Sequence, residues 1–135
     1  MKVFISYRRD DSAAYAGRVH DRLVPEFGRD RLFMDVTGIR PGADFVKVLG
    51  DEVAKCDVLL ALVGPRWIDA RDEKGTRRLD STADFVRIEI ATALKRDIPI
   101  IPILLDGATI PRAQDLPRDL EGLVRRAGCA SYLVS

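Results

Sequence analysis

One histidine, two cysteines and one tryptophan in 135 residues leave little material for many common kinds of active site. His20 has no His or Cys partners at ligand spacing, so neither a zinc centre nor a Ser/His/Asp triad can be assembled around it, no metal is expected, and it reads as a surface residue beside Asp21 and Arg22. Cys56 and Cys129 lie far apart and match no metal or redox spacing; they read as reduced thiols packed in or near the core. No apolar run approaches the roughly 20 residues that span a bilayer, and the N-terminus enters a strand-like pattern without a signal-peptide core, so a cytoplasmic protein without a membrane partner is expected. An excess of one charge is missing too. With 22 basic and 21 acidic residues the net charge is +1, which removes the electrostatic argument for a nucleic-acid partner. The local basic clusters, Arg8-Arg9, residues 71–78 and Arg125-Arg126, all have acidic neighbours and read as solvated surface. Neither a Gly-x-x-x-x-Gly-Lys-Ser/Thr loop nor a Gly-x-Gly-x-x-Gly turn follows the first apolar run, so phosphate-cradle and dinucleotide fingerprints are also lacking.

What is present is an alternating pattern. Apolar, β-branched runs recur at residues 3–5, 32–34, 58–63, 98–104 and 130–134, and helical patterns lie between them at about 12–27, 44–55, 82–96 and 116–126. Ser12 is a plausible helix N-cap. Near-continuous apolar strands separated by helices imply an α/β, flavodoxin-like three-layer fold: a five-stranded parallel sheet in the order 2-1-3-4-5 with helices on both faces. The length suits a single domain over residues 1–135. Pro99 and Pro102 predict a short or irregular fourth strand, because proline donates no ladder hydrogen bond. Residues 68–81 form the only long irregular stretch and read as a mobile or functional surface loop. In such sheets ligands bind at the carboxyl ends of the strands. That edge carries Ser6-Tyr7-Arg8-Arg9, residues 35–43 and Gly64-Pro65-Arg66-Trp67.

Glu89 stands out on this frame. At about 100° per residue, Asp84, Arg87 and Lys95 share one polar arc of the third helix, whereas Glu89 falls beside Phe85, Val86 and Ala93. A carboxylate on an apolar face needs a partner or a task, since burying it unpaired costs several kcal/mol or shifts its pKa. Either it pairs with an arginine or it lines a pocket and does chemistry. Two occupations of this fold fail for want of residues. A phosphoacceptor receiver would end its third strand on aspartate, but here it ends Leu62-Val63-Gly64, and Tyr7-Arg8-Arg9-Asp10-Asp11 is too bulky and charged for a flavin phosphate loop.

Val3-Phe4-Ile5-Ser6-Tyr7-Arg8-Arg9, then Leu32-Phe33-Met34-Asp35 with Ile39-Arg40-Pro41-Gly42, then the block from Asp84 to Leu94 together resemble the Toll/interleukin-1 receptor (TIR) domain, in the family's order and across nearly the whole chain. The resemblance is closest to the TIR domains of bacteria and of the animal axon-degeneration NAD hydrolase. It implies cleavage of the nicotinamide–ribose bond of NAD+, which is then substrate and not cofactor, with Glu89 as the catalytic residue. Nicotinamide in NAD+ is a cationic leaving group that needs no general acid, so one carboxylate beside an oxocarbenium-like ribose suffices. By the same resemblance Tyr7, Arg8, Arg9, Asp35, Phe45 and Phe85 bind substrate, Phe85 standing where a family tryptophan stacks near the nucleotide. Arg8 and Arg9 can hold phosphate or be solvated or paired with Asp10 or Asp11. Asp35 contacts substrate or caps a turn. Trp67 is a core plug or a pocket wall, with the core favoured.

The loop at residues 36–45 corresponds to the family's self-association loop, here Gly38, Ile39, Arg40, Pro41 and Gly42, a composition equally consistent with an ordinary turn. The plant Trp-Cys-x-x-Glu form of the helix is absent, and so is the C-terminal Phe-Trp block of animal receptors; the second departure makes a receptor-adaptor role less fitting and leaves catalysis untouched. The partners implied are NAD+, other TIR domains and a fused or associated sensor in a longer protein. The products implied are nicotinamide with ADP-ribose or a cyclic isomer, in antiviral defence; the alternative function is a non-catalytic scaffold for homotypic assembly.

Overall fold

The computed structural model describes residues 1–34, 44–127 and 132–134. Its frame is a parallel sheet of β1 (Val3–Ser6), β2 (Leu32–Phe33), β3 (Val58–Val63), β4 (Ile100–Leu105) and β5 (Tyr132–Val134), in the order β2-β1-β3-β4-β5. Register is set by Val3 opposite Leu32 and Val58, and by Ser6 opposite Ala61. Because successive side chains of a strand point to opposite faces, the apolar runs feed two cores. Phe4, Leu59, Ala61, Val63, Ile100 and Leu104 enter one, with Leu49 and Val53 of α2 (Phe45–Ala54), Val86, Ile90 and Ala93 of α3 (Phe85–Lys95), and Leu123 of α4 (Gly122–Ala127). Val3, Ile5, Leu62 and Leu105 enter the other, with Ala16, Val19 and Leu23 of α1 (Arg9–Phe27). Helices thus cover both faces, which is why the strands are continuous apolar runs and not half-polar ones.

Several local expectations need correction. Pro102 lies inside a regular six-residue β4, as long as β3. Among the described residues Pro102 is laddered to Ala61 of β3, and the pairs with β5 run from Ile103. α1 begins at Arg9 and not at Ser12, and it breaks at Ser12, where φ is −140° and ψ is 19°. The amides of Asp11 and Ser12 both donate to the Arg8 carbonyl, at 3.0 and 2.9 Å, and the Ser12 hydroxyl donates to that same oxygen at 3.3 Å, so Ser12 tightens the turn that carries Arg8 and does not cap the helix. The last helical pattern splits into a 3-10 turn at Arg118–Leu120 and the short α4, and still buries Leu116, Leu120 and Leu123. His20 is half-buried, its Nδ1 3.5 Å from Asp21, and is no ordinary surface histidine.

β1 has β2 on one side and β3 on the other, so the chain reverses its winding at the carboxyl ends of β1 and β3, where a sheet of this kind opens a crevice. Asp11 braces that edge, accepting from the Arg66 amide at 3.1 Å. Its carboxylate lies so close to Gly64 that a Cβ there would come within 2.2 Å of it, which is why β3 must be followed by glycine.

Candidate active site

α3 starts where its sequence tells it to. Asp84 has extended backbone angles and accepts the Arg87 amide at 3.2 Å, an N-cap of ordinary form. The helix then buries Val86, Ile90 and Ala93, and on the same side Glu89, which is 6% exposed. Ser6, at the end of β1 and also buried, donates from Oγ to Glu89 Oε1 at 2.8 Å. Two residues on, Arg8 is 3% exposed and donates from Nη1 and Nη2 to the two carboxylate oxygens of Asp84, each at 3.0 Å. The end of β1 and the start of α3 are therefore stapled at two points, one hydroxyl-to-carboxyl hydrogen bond and one bidentate ion pair. Asp84 serves as helix cap and as counter-ion at once.

Arg8, Asp84 and Glu89 line a cleft of about 720 Å3, a volume typical of small-molecule sites, with Ser6 behind Glu89. Tyr7, Arg8, Arg9, Phe85, Val86 and Glu89 line it from β1 and α3, and Asp72, Glu73, Lys74 and Arg78 line it from the segment 68–81. That segment is built and not merely a connection. Arg71 and Arg77 bridge antiparallel, Asp72 Oδ1 accepts the amides of Lys74 and Thr76 at 2.9 and 3.0 Å, and Gly75 turns the chain with φ of 82°. Leu79, fully buried, anchors it in the core, and Arg77 donates to the Asp115 carbonyl at 2.6 Å.

A model of the TIR domain family matches residues 3–130 of the chain. The chain belongs to the TIR domain family. No curated protein matches it. Among solved structures, it is similar to the TIR domains in the structure of the activated Roq1 resistosome directly recognizing the pathogen effector XopQ, with a TM-score of 0.65 at 12% identity, over 98% of this chain and 87% of that one. At that identity the likeness concerns the fold.

Within this TIR domain the structure brings together Tyr7, Arg8, Arg9, Phe85 and Glu89 of the residues singled out from sequence. Asp35, Gly38, Ile39, Arg40, Pro41 and Gly42 lie outside the described residues, as does the side chain of Phe45, although its backbone opens α2. Trp67 is in the core, 1% exposed, as favoured. Arg8 is neither solvated nor paired with Asp11, whose carboxylate turns to Arg66; its counter-ion is Asp84. Sequence reasoning placed Ser6 at the ligand edge and read residues 68–81 as a mobile or functional surface loop, but it named neither Ser6, Asp84 nor any residue of 72–78 as part of the site. Ser6 had one legible signal, a hydroxyl closing an otherwise apolar buried strand. Among the described residues no His/Cys/Asp/Glu group could hold a metal ion, and no helix is long and apolar enough to cross a membrane.

Cys56 is buried against α2, its thiol donating to the Glu52 carbonyl at 3.6 Å; burial, with Glu52 and Asp57 nearby, pushes its pKa up to about 11. It lies away from the cleft, and Cys129 is outside the described residues.

Proposed function

We propose that this TIR domain is an NAD+ nucleosidase that cleaves the nicotinamide–ribose bond with Glu89 as its catalytic carboxylate. The observation that carries the reading is a glutamate on the apolar face of a helix, 6% exposed, that nevertheless lines a cleft able to hold a small molecule. The Ser6 hydroxyl fixes one carboxylate oxygen and so limits the rotamers of the side chain. Phe85, 45% exposed at the cleft, offers an apolar face for a flat ring one helical turn from Glu89. As the C1′–N bond breaks, its electron pair leaves with nicotinamide, which becomes neutral, and positive charge develops on the ribose beside the carboxylate. Water adding at C1′ and losing a proton gives ADP-ribose; an adenine nitrogen adding instead gives a cyclic isomer.

Self-association with other TIR domains belongs to the same proposal, since the Roq1 TIR domains are described as part of an activated resistosome. A cytoplasmic role in defence, with this domain as one module of a longer sensor protein, is part of the same proposal.

The test is nicotinamide release from NAD+ by the purified domain, concentrated or clustered on a surface, followed by chromatography beside Glu89→Ala. Release by wild type that disappears in the folded variant is expected, and ADP-ribose against a cyclic isomer identifies the second half-reaction. No release under clustering, with association intact, would leave the scaffold as the function.

A further inference from the structure

The two links between the end of β1 and α3 have matching spacings. Ser6 closes the strand and Arg8 keeps extended angles, with φ of −100° and ψ of 120°, so the step between them is at most about 7 Å. Asp84 precedes Glu89 by five residues of the helix, a rise of about 7.5 Å. Strand end and helix start therefore run side by side in opposite senses, joined by Ser6 on Glu89 at 2.8 Å and by Arg8 on Asp84 at 3.0 Å. Arg8 is turned to the protein. Its Nη atoms are on the two Asp84 oxygens, its Nε is buried without a partner, and the residue is 3% exposed although it borders the cleft. Its main chain is fixed as well, the carbonyl accepting from the Asp11 and Ser12 amides and from the Ser12 hydroxyl. Asp84 is held from the helix side, accepting the Arg87 amide and donating its own amide to the Ser81 carbonyl at 3.2 Å.

Resting on the reading of Glu89 as the catalytic carboxylate, we infer that Arg8 and Asp84 are positioning residues: their ion pair sets the placement of α3 and thereby aims Glu89, and Arg8 is not a ligand of substrate phosphate. Of the two links, Ser6 alone would let the helix pivot about Glu89. The bidentate pair, one and a half turns away, removes that freedom, because a planar fork on a carboxylate fixes direction as well as distance. The aim matters to the chemistry, since a displacement of about 1 Å at a reacting group costs on the order of a hundredfold in rate.

The experiment measures kcat and KM for NAD+ of the clustered domain in wild type, Arg8→Lys, Asp84→Asn and the double variant, at a temperature where circular dichroism shows each to be folded. Asparagine caps a helix as well as aspartate, and lysine keeps the charge without the fork, so both changes break the bidentate geometry with little damage to the fold. If one variant does not fold, the other carries the comparison. Each should lower kcat about tenfold or more with KM within about twofold of wild type, and the double variant should lose no more than the worse single one, because both break one link. Three results would overturn the inference: a KM raised in Arg8→Lys, which makes Arg8 a substrate ligand; a kcat unchanged within about twofold, which leaves the pair a structural one; or losses that multiply in the double variant. If wild type releases no nicotinamide, the reading of Glu89 as catalytic fails, and its placement is then read from its side-chain carboxyl resonance in protein labelled with 13C-glutamate. In Arg8→Lys, which leaves every charge in number unchanged, that resonance should move; a resonance that stays with wild type overturns the positioning role.

Discussion

Floor and rim of one cleft are built by opposite means. The floor is made of long-range pairs: Ser6 with Glu89, 83 residues apart, and Arg8 with Asp84, 76 apart, all four residues largely buried. The rim is made of local bonds, Asp72 to Lys74 and Thr76 within four residues and Arg77 to Asp80 within three, on exposed backbone. The floor is therefore part of what holds β1 to α3, and changes there touch fold and function together. The rim is tethered to the fold at its base, by the buried Leu79 and by Arg77 on the Asp115 carbonyl, so changes at its exposed tip should leave the fold intact.

The sharpest break of that comparison is at the Arg8–Asp84 pair. Asp84→Ala removes both a helix cap and the counter-ion of an arginine that is 3% exposed, so a loss of about 3–5 kcal/mol in urea unfolding is expected. Arg8→Ala should cost less, because Asp84 keeps its amide contact with Arg87. Equal losses would show that the cap contributes nothing. Next is Leu79→Ala, expected to cost about 2–5 kcal/mol by emptying a fully buried site; a loss confined to substrate affinity would mean that the hairpin is not anchored as described. Ser6→Ala should cost about 1–3 kcal/mol, since it leaves a buried carboxylate short of one donor, and should lower nicotinamide release without removing it.

Away from both regions, Cys56 supplies the smallest effect and a control. Its folded pKa, about 11, lies above the ordinary value of 9.0, so the native state holds the thiol proton more tightly than the unfolded chain. Its stabilising contribution is present below pH 9 and is lost as pH rises toward 11, by up to about 2 kcal/mol. Cys56→Ala should lose correspondingly less stability than wild type over that window, measured by denaturation at each pH. Parallel losses would show that the thiol ionises freely in the fold.

How much was legible in the chain follows the same division. The apolar runs of β1 and β3 and the helical spacing of Val86, Ile90 and Ala93 specify a doubly covered parallel sheet, because residues buried on both faces leave no polar alternation to misread. Glu89 was legible as a carboxylate on the wrong side of its helix. Its partner and the Arg8 counter-ion were not, since pairing across some eighty residues depends on register and helix placement that no local pattern encodes. The segment 71–78 was read as solvated surface, and residues 71–76 are indeed exposed; what its composition did not specify is the turn that Asp72 closes by accepting the Lys74 and Thr76 amides. Ser12 was misplaced because its hydroxyl competes for the Arg8 carbonyl instead of capping.

The central claim is that Glu89 performs chemistry and does not simply complete the core. Glu89→Gln tests it most directly, because the amide oxygen can still accept from Ser6 at the same place while the negative charge is gone. Nicotinamide release and unfolding free energy should be measured on the same preparation. The account predicts that release falls by about a hundredfold or more with stability within about 1 kcal/mol of wild type; undiminished release, or a loss that merely tracks unfolding, would contradict it.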